Sequence, residues 1–246
     1  MAKRRSDVSI HRPVVWVTGA SRGIGREIAK QFASIGCEVA LSARSKRDLY
    51  SVVKEITQLG GRAYSFPLDI SKEESIFNIA GTIKKRLGNV EILVNNAGIT
   101  VFKAFLQTTL KEFNGIIGTN LEGPIACIKA VLPAMARRKQ GWIFNILSNA
   151  AIKTFEGSAA YTATKAGLLG LAKVLREEMR HYNVKVINVL PGPTETEMWS
   201  IRDRKNYAHR MMKAKSVAEA VLAAYQMPDD VVVDELVIRP IQGDIE

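Results

Sequence analysis

The stretch VVWVTGASRGIG, residues 14–25, decides the fold. Its first five residues form a β-branched, apolar run that suits a strand. Three glycines follow at 19, 23 and 25, and IGREIAKQFASI (24–35) then takes up a helical period. Glycine at a strand-to-helix turn lets the backbone come close to a ligand, and the first N–H groups and positive end of the helix favour an anion. The turn therefore has the form of a phosphate site. Its spacing, G-x-x-x-G-x-G, departs from the G-x-G-x-x-G dinucleotide fingerprint.

Working outward, the same alternation repeats. CEVALSA (37–43), RAYSFPLD (62–69), VEILVNNAG (90–98), GWIFNILS (141–148), VKVINVL (184–190) and DELVIRP (234–240) read as strands. Helical patterns lie between them at 46–59, 71–87, 110–139, 160–181 and 217–225. Nearly continuous apolar strands separated by helices predict an α/β fold. It is a single doubly wound, Rossmann-type domain with a mostly parallel sheet of about seven strands and helices on both faces. No linker or repeat interrupts residues 13–246, and the strand ends are expected to carry the site.

The composition agrees. The 246 residues, 47% of them hydrophobic, suffice for one good-sized core. No apolar run approaches the roughly 18 residues of a membrane span. The start has Lys3, Arg4 and Arg5 with no apolar core behind them, so residues 1–12 are expected to be a flexible basic extension. Cys37 and Cys127 sit in apolar segments, which argues against a disulfide framework and for the cytoplasm. No metal-ligand spacing is present. The 35 Lys and Arg against 24 Asp and Glu leave a net charge of +11, which favours anionic partners. The basic residues are scattered, without the aromatic interleaving of a single-strand binder, so neither nucleic acid nor membrane is the expected partner.

Four motifs in order carry a more specific signal: TGASRGIG, NNAG (95–98), Ser148 followed by YTATK (161–165), and PGPTETEM (191–198). Together they resemble the short-chain dehydrogenase/reductase family in its short, single-domain form, over roughly residues 13–240. The resemblance implies a nicotinamide cofactor held by Gly19, Ser21, Arg22, Gly23, Ile24 and Gly25. Asn96, Ala97 and Gly98 would pass the adenine ribose, and Pro191, Gly192, Thr194 and Thr196 the nicotinamide end. Asp69 matches the family's adenine-binding acid, and would serve equally as a turn or cap residue before the next helix. Asn95 reads as a ligand contact or as a strand-stabilising residue.

The end of the second strand bears on cofactor choice. An NAD site wants an acid there for the ribose hydroxyls, but this chain has Ala43 and then Arg44. Arg44 and Arg22 could flank a 2′-phosphate through charge-assisted hydrogen bonds, which predicts NADPH; the alternative is two solvated arginines.

Tyr161 and Lys165, four apart, share one helical face. A neighbouring cation favours the phenolate and would lower the phenol's pKa from about 10, making a usable general acid-base. In the resembling family this tyrosine protonates the carbonyl oxygen, Ser148 orients it, and Lys165 also grips the nicotinamide ribose. Ala159, Ala160, Ala163, Ala166 and Gly167 are expected to let cofactor and strand come close. Asn120 is a poor mid-helix residue, which suggests a local distortion or a bound water. It matches the family's fourth catalytic residue.

Residues 194–215 are expected to form a lid. Arg202, Arg204, Lys205, Arg210, Lys213 and Lys215 would suit an acidic carrier protein or simply a solvated helix, while Trp199, Met211 and Met212 would line an apolar pocket. The expected activity is reduction of a small-molecule carbonyl, with 3-oxoacyl or related β-keto compounds leading. The terminal stretch DELVIRPIQGDIE departs from the TGQ and VDGG pattern of many such reductases. That leaves open hydroxy-acid or other alcohol dehydrogenases, an NAD-dependent oxidation, and a non-catalytic nucleotide sensor or nucleic-acid binder. A homo-oligomer, dimer or tetramer, is the family expectation.

Overall fold

In the computed structural model, residues 11–245 are described. β1 (Val14–Thr18) passes through the glycine turn into α1 (Gly23–Ser34), and β2 (Glu38–Ser42), α2 (Lys46–Gln58), β3 (Arg62–Ser65) and α3 (Glu73–Leu87) complete one half. β4 (Ile92–Asn95), α4 (Leu110–Ile117), α5 (Gly123–Arg138), β5 (Gly141–Ile146), α6 (Ala159–Met179) and β6 (Val184–Pro191) build the other. Then come β7 (Thr194–Glu195), α7 (Ile201–Tyr207), β8 (Met212–Lys213), α8 (Ala214–Tyr225) and β9 (Glu235–Ile238). The main sheet has seven strands in the order β3-β2-β1-β4-β5-β6-β9, every neighbouring pair parallel. β1 lies inside the sheet, so the chain winds outward one way through β2 and β3 and then returns to start β4 on β1's other side. The connections therefore diverge between β1 and β4, and a crevice opens above their carboxyl ends.

Both faces of the central strands are buried, which is why those strands are mostly apolar. Val15, Val17, Leu41 and Val94 pack under α1, α2 and α8 through Phe32, Leu49 and Val221. Trp16, Leu93, Ile143 and Val186 turn the other way, under Ile76 and Ile83 of α3 and Val131 and Met135 of α5. Trp16 is fully buried, and its indole Nε1 donates to Ser42 Oγ at 2.9 Å.

Three asparagines cross the sheet in register, Asn95 opposite Asn145 and Asn145 opposite Asn188. Asn95 Nδ2 donates to Asn145 Oδ1 at 3.0 Å, and Asn145 Nδ2 to Asn188 Oδ1 at 3.3 Å, all three buried. Of its two expected roles, Asn95 takes the strand-stabilising one.

Several boundaries differ from expectation. β3 stops at Ser65 ahead of Pro67, which has no N–H to continue the ladder. The pattern at 110–139 is not one helix. A π-helical turn, Gly118–Glu122, separates α4 from α5, and it is centred on Asn120. Residues 194–215 contain a two-stranded parallel ribbon of β7 and β8, each strand too short for a sequence period. The expected flexible extension of residues 1–12 lies outside the described residues up to residue 10. His11 is tied down, Nε2 bonding Glu91 Oε2 at 3.0 Å.

Trp16→Ala should lower stability by about 3–5 kcal/mol in urea denaturation, because it opens a cavity and strips Ser42 of its partner. A loss below about 1 kcal/mol would show that the sheet's centre does not depend on this packing.

Candidate active site

The crevice begins with a clamp between the ends of β1 and β4. Thr18 Oγ1 donates to Val94 O at 3.2 Å and accepts from the N–H groups of Asn96, at 3.0 Å, and Ala97, at 3.1 Å. The Asn96 side chain returns the contact, Nδ2 donating to the carbonyls of Thr18 at 3.0 Å and Gly19 at 3.1 Å. The two strand ends approach so closely that a Cβ on Gly19 would stand 2.8 Å from Ala97 Cα, at a positive φ of 65°. A Cβ on Gly25 would come within 2.3 Å of Asn96 Nδ2.

A cleft of about 800 Å³ opens above this clamp, in the range of small-molecule sites. Of the residues expected to hold a cofactor, Gly19, Ser21, Arg22, Gly23, Ile24, Arg44, Asp69, Asn96, Ala97, Gly98, Tyr161, Lys165, Pro191, Gly192, Thr194 and Thr196 all line it. Gly25 does not. It is buried beneath the turn, where absence of a side chain lets α1 seat against Asn96. α1 points its N-terminus into the cleft, with Arg22 at the cap position, no side chain capping the free N–H groups and no acid in the first turn. The unneutralised helix end and glycine cradle fit a diphosphate. Arg22 and Arg44 are exposed on the same wall, and Ala43 contributes no carboxylate. Asp69 Oδ1 accepts from Ser71 N at 3.1 Å and Ser71 Oγ at 2.8 Å, and these bonds hold its carboxyl below the usual range. It is a turn residue ahead of α3 that also lines the cleft.

The opposite wall carries Ser148, Tyr161 and Lys165. Ser148 follows β5, its Oγ held between Asn149 Oδ1, to which it donates at 3.2 Å, and the Ala150 N–H at 3.1 Å. Tyr161 and Lys165 lie on the buried face of α6, with Leu168, Leu169 and Ala172. Lys165 Nζ donates to Ile146 O at 2.9 Å and stands 5.6 Å from the Tyr161 ring centre. Burial pushes the Lys165 ammonium down to about 8. The expected cation tuning of the phenol is not the ruling effect. Burial pushes Tyr161 up, and the neighbouring Ser148 hydroxyl offsets this only in part. The expected role of the small residues also changes, since Ala159, Ala163, Ala166 and Gly167 are exposed on the far face of α6 and only Ala160 is buried. The 3.6-residue period places them opposite Tyr161 and Lys165.

Asn120 is fully buried and does not line the cleft. The π turn directs its side chain at the strand-end loop, where Oδ1 accepts from Ile99 N at 2.9 Å and Nδ2 donates to Ile99 O at 2.8 Å and to Thr164 Oγ1 at 3.3 Å. Thr164 Oγ1 in turn donates to Tyr161 O at 2.8 Å. Gly98 bridges the groups: a Cβ there would lie 3.5 Å from Asn120 Oδ1 and 3.7 Å from Lys165 Nζ. Thr18 and Thr164 lie inside the TGASRGIG and YTATK motifs, but nothing in the sequence marked their hydroxyls as the groups that tie these segments together.

At the open end, Phe102, Phe155, Met198 and Trp199 form apolar walls. Trp199 is where the sequence suggested, whereas Met211 and Met212 do not line the cleft: Met211 is buried and Met212 packs against the core under α8. Ile245, from the stretch after β9, lines the cleft and gave no sequence signal. Among the described residues no cluster of His, Cys, Asp and Glu could hold a metal, and no helix is long and apolar enough to cross a membrane.

Residues 13–206 match the family model described as short chain dehydrogenase. A sepiapterin reductase of Chlorobaculum tepidum is 35% identical over 240 residues, covering 95% of this chain and 98% of that protein. A 3-oxoacyl-(acyl-carrier-protein) reductase of Staphylococcus epidermidis is 38% identical over 183 residues, 74% of this chain and 75% of that protein. Among solved structures, a metagenomic short-chain oxidoreductase in complex with NADP superposes with a TM-score of 0.83 at 34% identity, covering 93% of this chain and 96% of that one.

The buried ammonium has a measurable cost. Lys165 has a folded-state pKa of about 8 against an ordinary 10.5, so between these values the folded chain holds fewer protons than the unfolded one and stability rises with pH. Lys165→Met should therefore be more stable than the parent at pH 7, by up to ~3 kcal/mol less about 1 kcal/mol for the orphaned Ile146 carbonyl. The gap should close as pH climbs from about 8 to 10.5, and a pH-independent gap in urea denaturation would refute the assignment.

Proposed function

The chain belongs to the short-chain dehydrogenase/reductase family, and on that premise we propose that it reduces a carbonyl to an alcohol with NADPH as hydride donor. It is an oxidoreductase of the C=O/CH–OH couple. The observation that carries the assignment of roles is the convergence of Ser148, Tyr161 and Lys165 on one wall of a cleft whose other wall is an uncapped helix end flanked by Arg22 and Arg44.

The site fits NADPH. The N-terminus of α1 and the turn from Gly19 to Gly23 would hold the diphosphate, and Arg22 and Arg44 the 2′-phosphate. Asp69 with Asn96, Ala97 and Gly98 would border the adenosine, and Lys165 with Pro191, Gly192, Thr194 and Thr196 the nicotinamide end. When bound, the cofactor supplies the hydride. The protein's own task is the oxygen. Ser148 Oγ orients the carbonyl, and Tyr161, kept protonated at neutral pH by burial, gives its proton to the oxygen as negative charge develops. Lys165 places positive charge beside the phenol so that the phenolate left behind is tolerated. Asn120 fixes the Ile99 loop and, through Thr164, the first turn of α6, and so holds Tyr161 in place.

The apolar walls from Phe102, Phe155, Met198 and Trp199 support an uncharged, hydrophobic acyl or aromatic ketone, with 3-oxoacyl and related β-keto compounds leading. The exposed cations Arg202 and Lys205 on α7 support an acidic carrier as the bearer of such a group. We further propose that residues 13–246 act as one catalytic unit with residues 194–215 as its lid. The unit would work in the cytoplasm as a homo-oligomer, and the exposed Leu106 and Leu110 and the small-residue outer face of α6 support the assembly.

The test is to follow NADPH and NADH oxidation with a panel of 3-oxoacyl thioesters, β-keto esters, aromatic diketones and quinones. No turnover with any of them would overturn the reading. Tyr161→Phe should lower kcat by about 10³-fold while NADPH affinity stays within about threefold, and retained turnover would remove the acid role. Arg44→Ala should weaken NADPH about tenfold, some 1.4 kcal/mol, with little change for NADH; equal losses would remove the 2′-phosphate contact.

A further inference from the structure

Beyond β9 the chain folds back across the sheet's carboxyl end and re-enters the cleft. Its anchor is Asp244, whose side chain is only 6% exposed although it is a carboxylate near the last described residue. A carboxylate withdrawn from water needs donors on every side, and Asp244 has them. Oδ1 accepts from Asn149 Nδ2 at 2.9 Å, Oδ2 from Lys153 Nζ at 3.1 Å, and the Arg239 guanidinium lies 3.9 Å away. Its backbone carbonyl accepts from Arg210 Nη2 at 3.0 Å, just past α7. Gly192 makes room for it, since a Cβ there would meet Asp244 Oδ1 at 3.4 Å.

These contacts join three parts of the site: the loop after β5, the lid and the turn after β6. The contact with Asn149 matters most. A carboxylate only accepts hydrogen bonds, so it fixes which way the Asn149 amide faces, nitrogen toward Asp244 and oxygen toward Ser148. That oxygen accepts the one Ser148 Oγ proton and so holds Oγ at the cleft until a substrate oxygen takes that proton over. The next residue, Ile245, lines the cleft.

We propose that residues 240–245 form a latch in which Asp244, through Asn149, is a positioning residue for the Ser148 hydroxyl, while Ile245 forms a specificity-determining wall of the carbonyl pocket. The kinetic part rests on the carbonyl-reductase reading; the structural part does not. Without the carboxylate, the Asn149 amide is free to turn over, the Ser148 hydroxyl loses a fixed partner, and residues 240–245 lose their side-chain anchor, which loosens the Asp244 backbone carbonyl that Arg210 holds. The adenosine end of the cleft, on the far side of β1, keeps all its contacts.

The experiment has two arms on the full chain. In the first, amide hydrogen exchange is compared between parent and Asp244→Ala. Peptides spanning 149–155 and 203–212 should exchange several-fold faster in the variant, while those of α2 stay unchanged; no difference at 149–155 would overturn the latch whether or not a substrate is known. In the second, kinetics use the best carbonyl of the panel. Asp244→Ala should lower kcat/KM about 10- to 100-fold with NADPH affinity within about twofold. Asp244→Asn, which keeps an acceptor for Asn149, should recover most of the kcat loss. Ile245→Ala should raise KM about fivefold with little change in kcat. Unchanged kcat/KM in Asp244→Ala, no recovery in Asp244→Asn, or a parallel fall in Tm and NADPH affinity would each overturn the positioning role. A parent enzyme inactive on every carbonyl sinks the reductase reading alone, because the exchange arm still reports the latch.

Discussion

The hydroxyl of Thr18 ties the last residues of β1 to the backbone that leaves β4, and the amide of Asn96 ties the departing backbone to the glycine turn. Two parallel strands end side by side here and their chains leave in opposite directions, so a gap must open between them. The clamp sets its width. With it, α1 starts at the gap with its N–H groups pointing in, and the glycines are obligatory because the approach leaves no volume for a side chain. Across the sheet β5 and α6 fall where Ser148, Tyr161 and Lys165 face the same space.

The site is assembled at the expense of local stability. Lys165 is buried with one backbone carbonyl as its hydrogen-bond partner, and Tyr161 is buried beside it, so both groups are pushed toward their neutral forms. The two apolar layers around the sheet offset this cost. The neutral phenol is the form that can donate, so burial and the neighbouring ammonium divide the work: one keeps the proton on until it is needed, the other stabilises what remains once it has gone. A tyrosine tuned by the cation alone would already have lost part of its donor population.

What could be read from the sequence follows from what is local. Doubly buried parallel strands must be continuously apolar, so the strand-helix alternation was plain, and the glycine turn and the Tyr161 and Lys165 spacing are contained within single turns of chain. Asn120 announced the distortion at 118–122 because an asparagine is a poor occupant of a regular helix, though not that its amide would grip Ile99. The rest depends on tertiary packing. The ribbon of β7 and β8 has two residues per strand, too few to show a period. The outer face of α6 and the inner one are both rich in small residues, so composition could not tell which faced the site. The rise of the Tyr161 pKa reflects how far burial outweighs a neighbour, a balance that spacing alone does not contain. Asp244 acts on Asn149 across most of the fold, and no local pattern marks it.

The asparagine ladder through β4, β5 and β6 has a consequence for how the sheet selects its own alignment. Val, Ile and Leu on adjacent strands are nearly interchangeable, so apolar packing alone distinguishes weakly between neighbouring alignments of the same face. A slip of two residues between β4 and β5 would keep every side chain on its face, yet set Asn95 opposite Ile143 or Leu147 instead of Asn145. Each amide so displaced would lose its partner in a dry interior, at about 1–3 kcal/mol. The ladder works as a key cut to one lock position, and since Ser148 rides three residues beyond Asn145, the alignment it enforces also delivers the hydroxyl to the height at which Tyr161 waits.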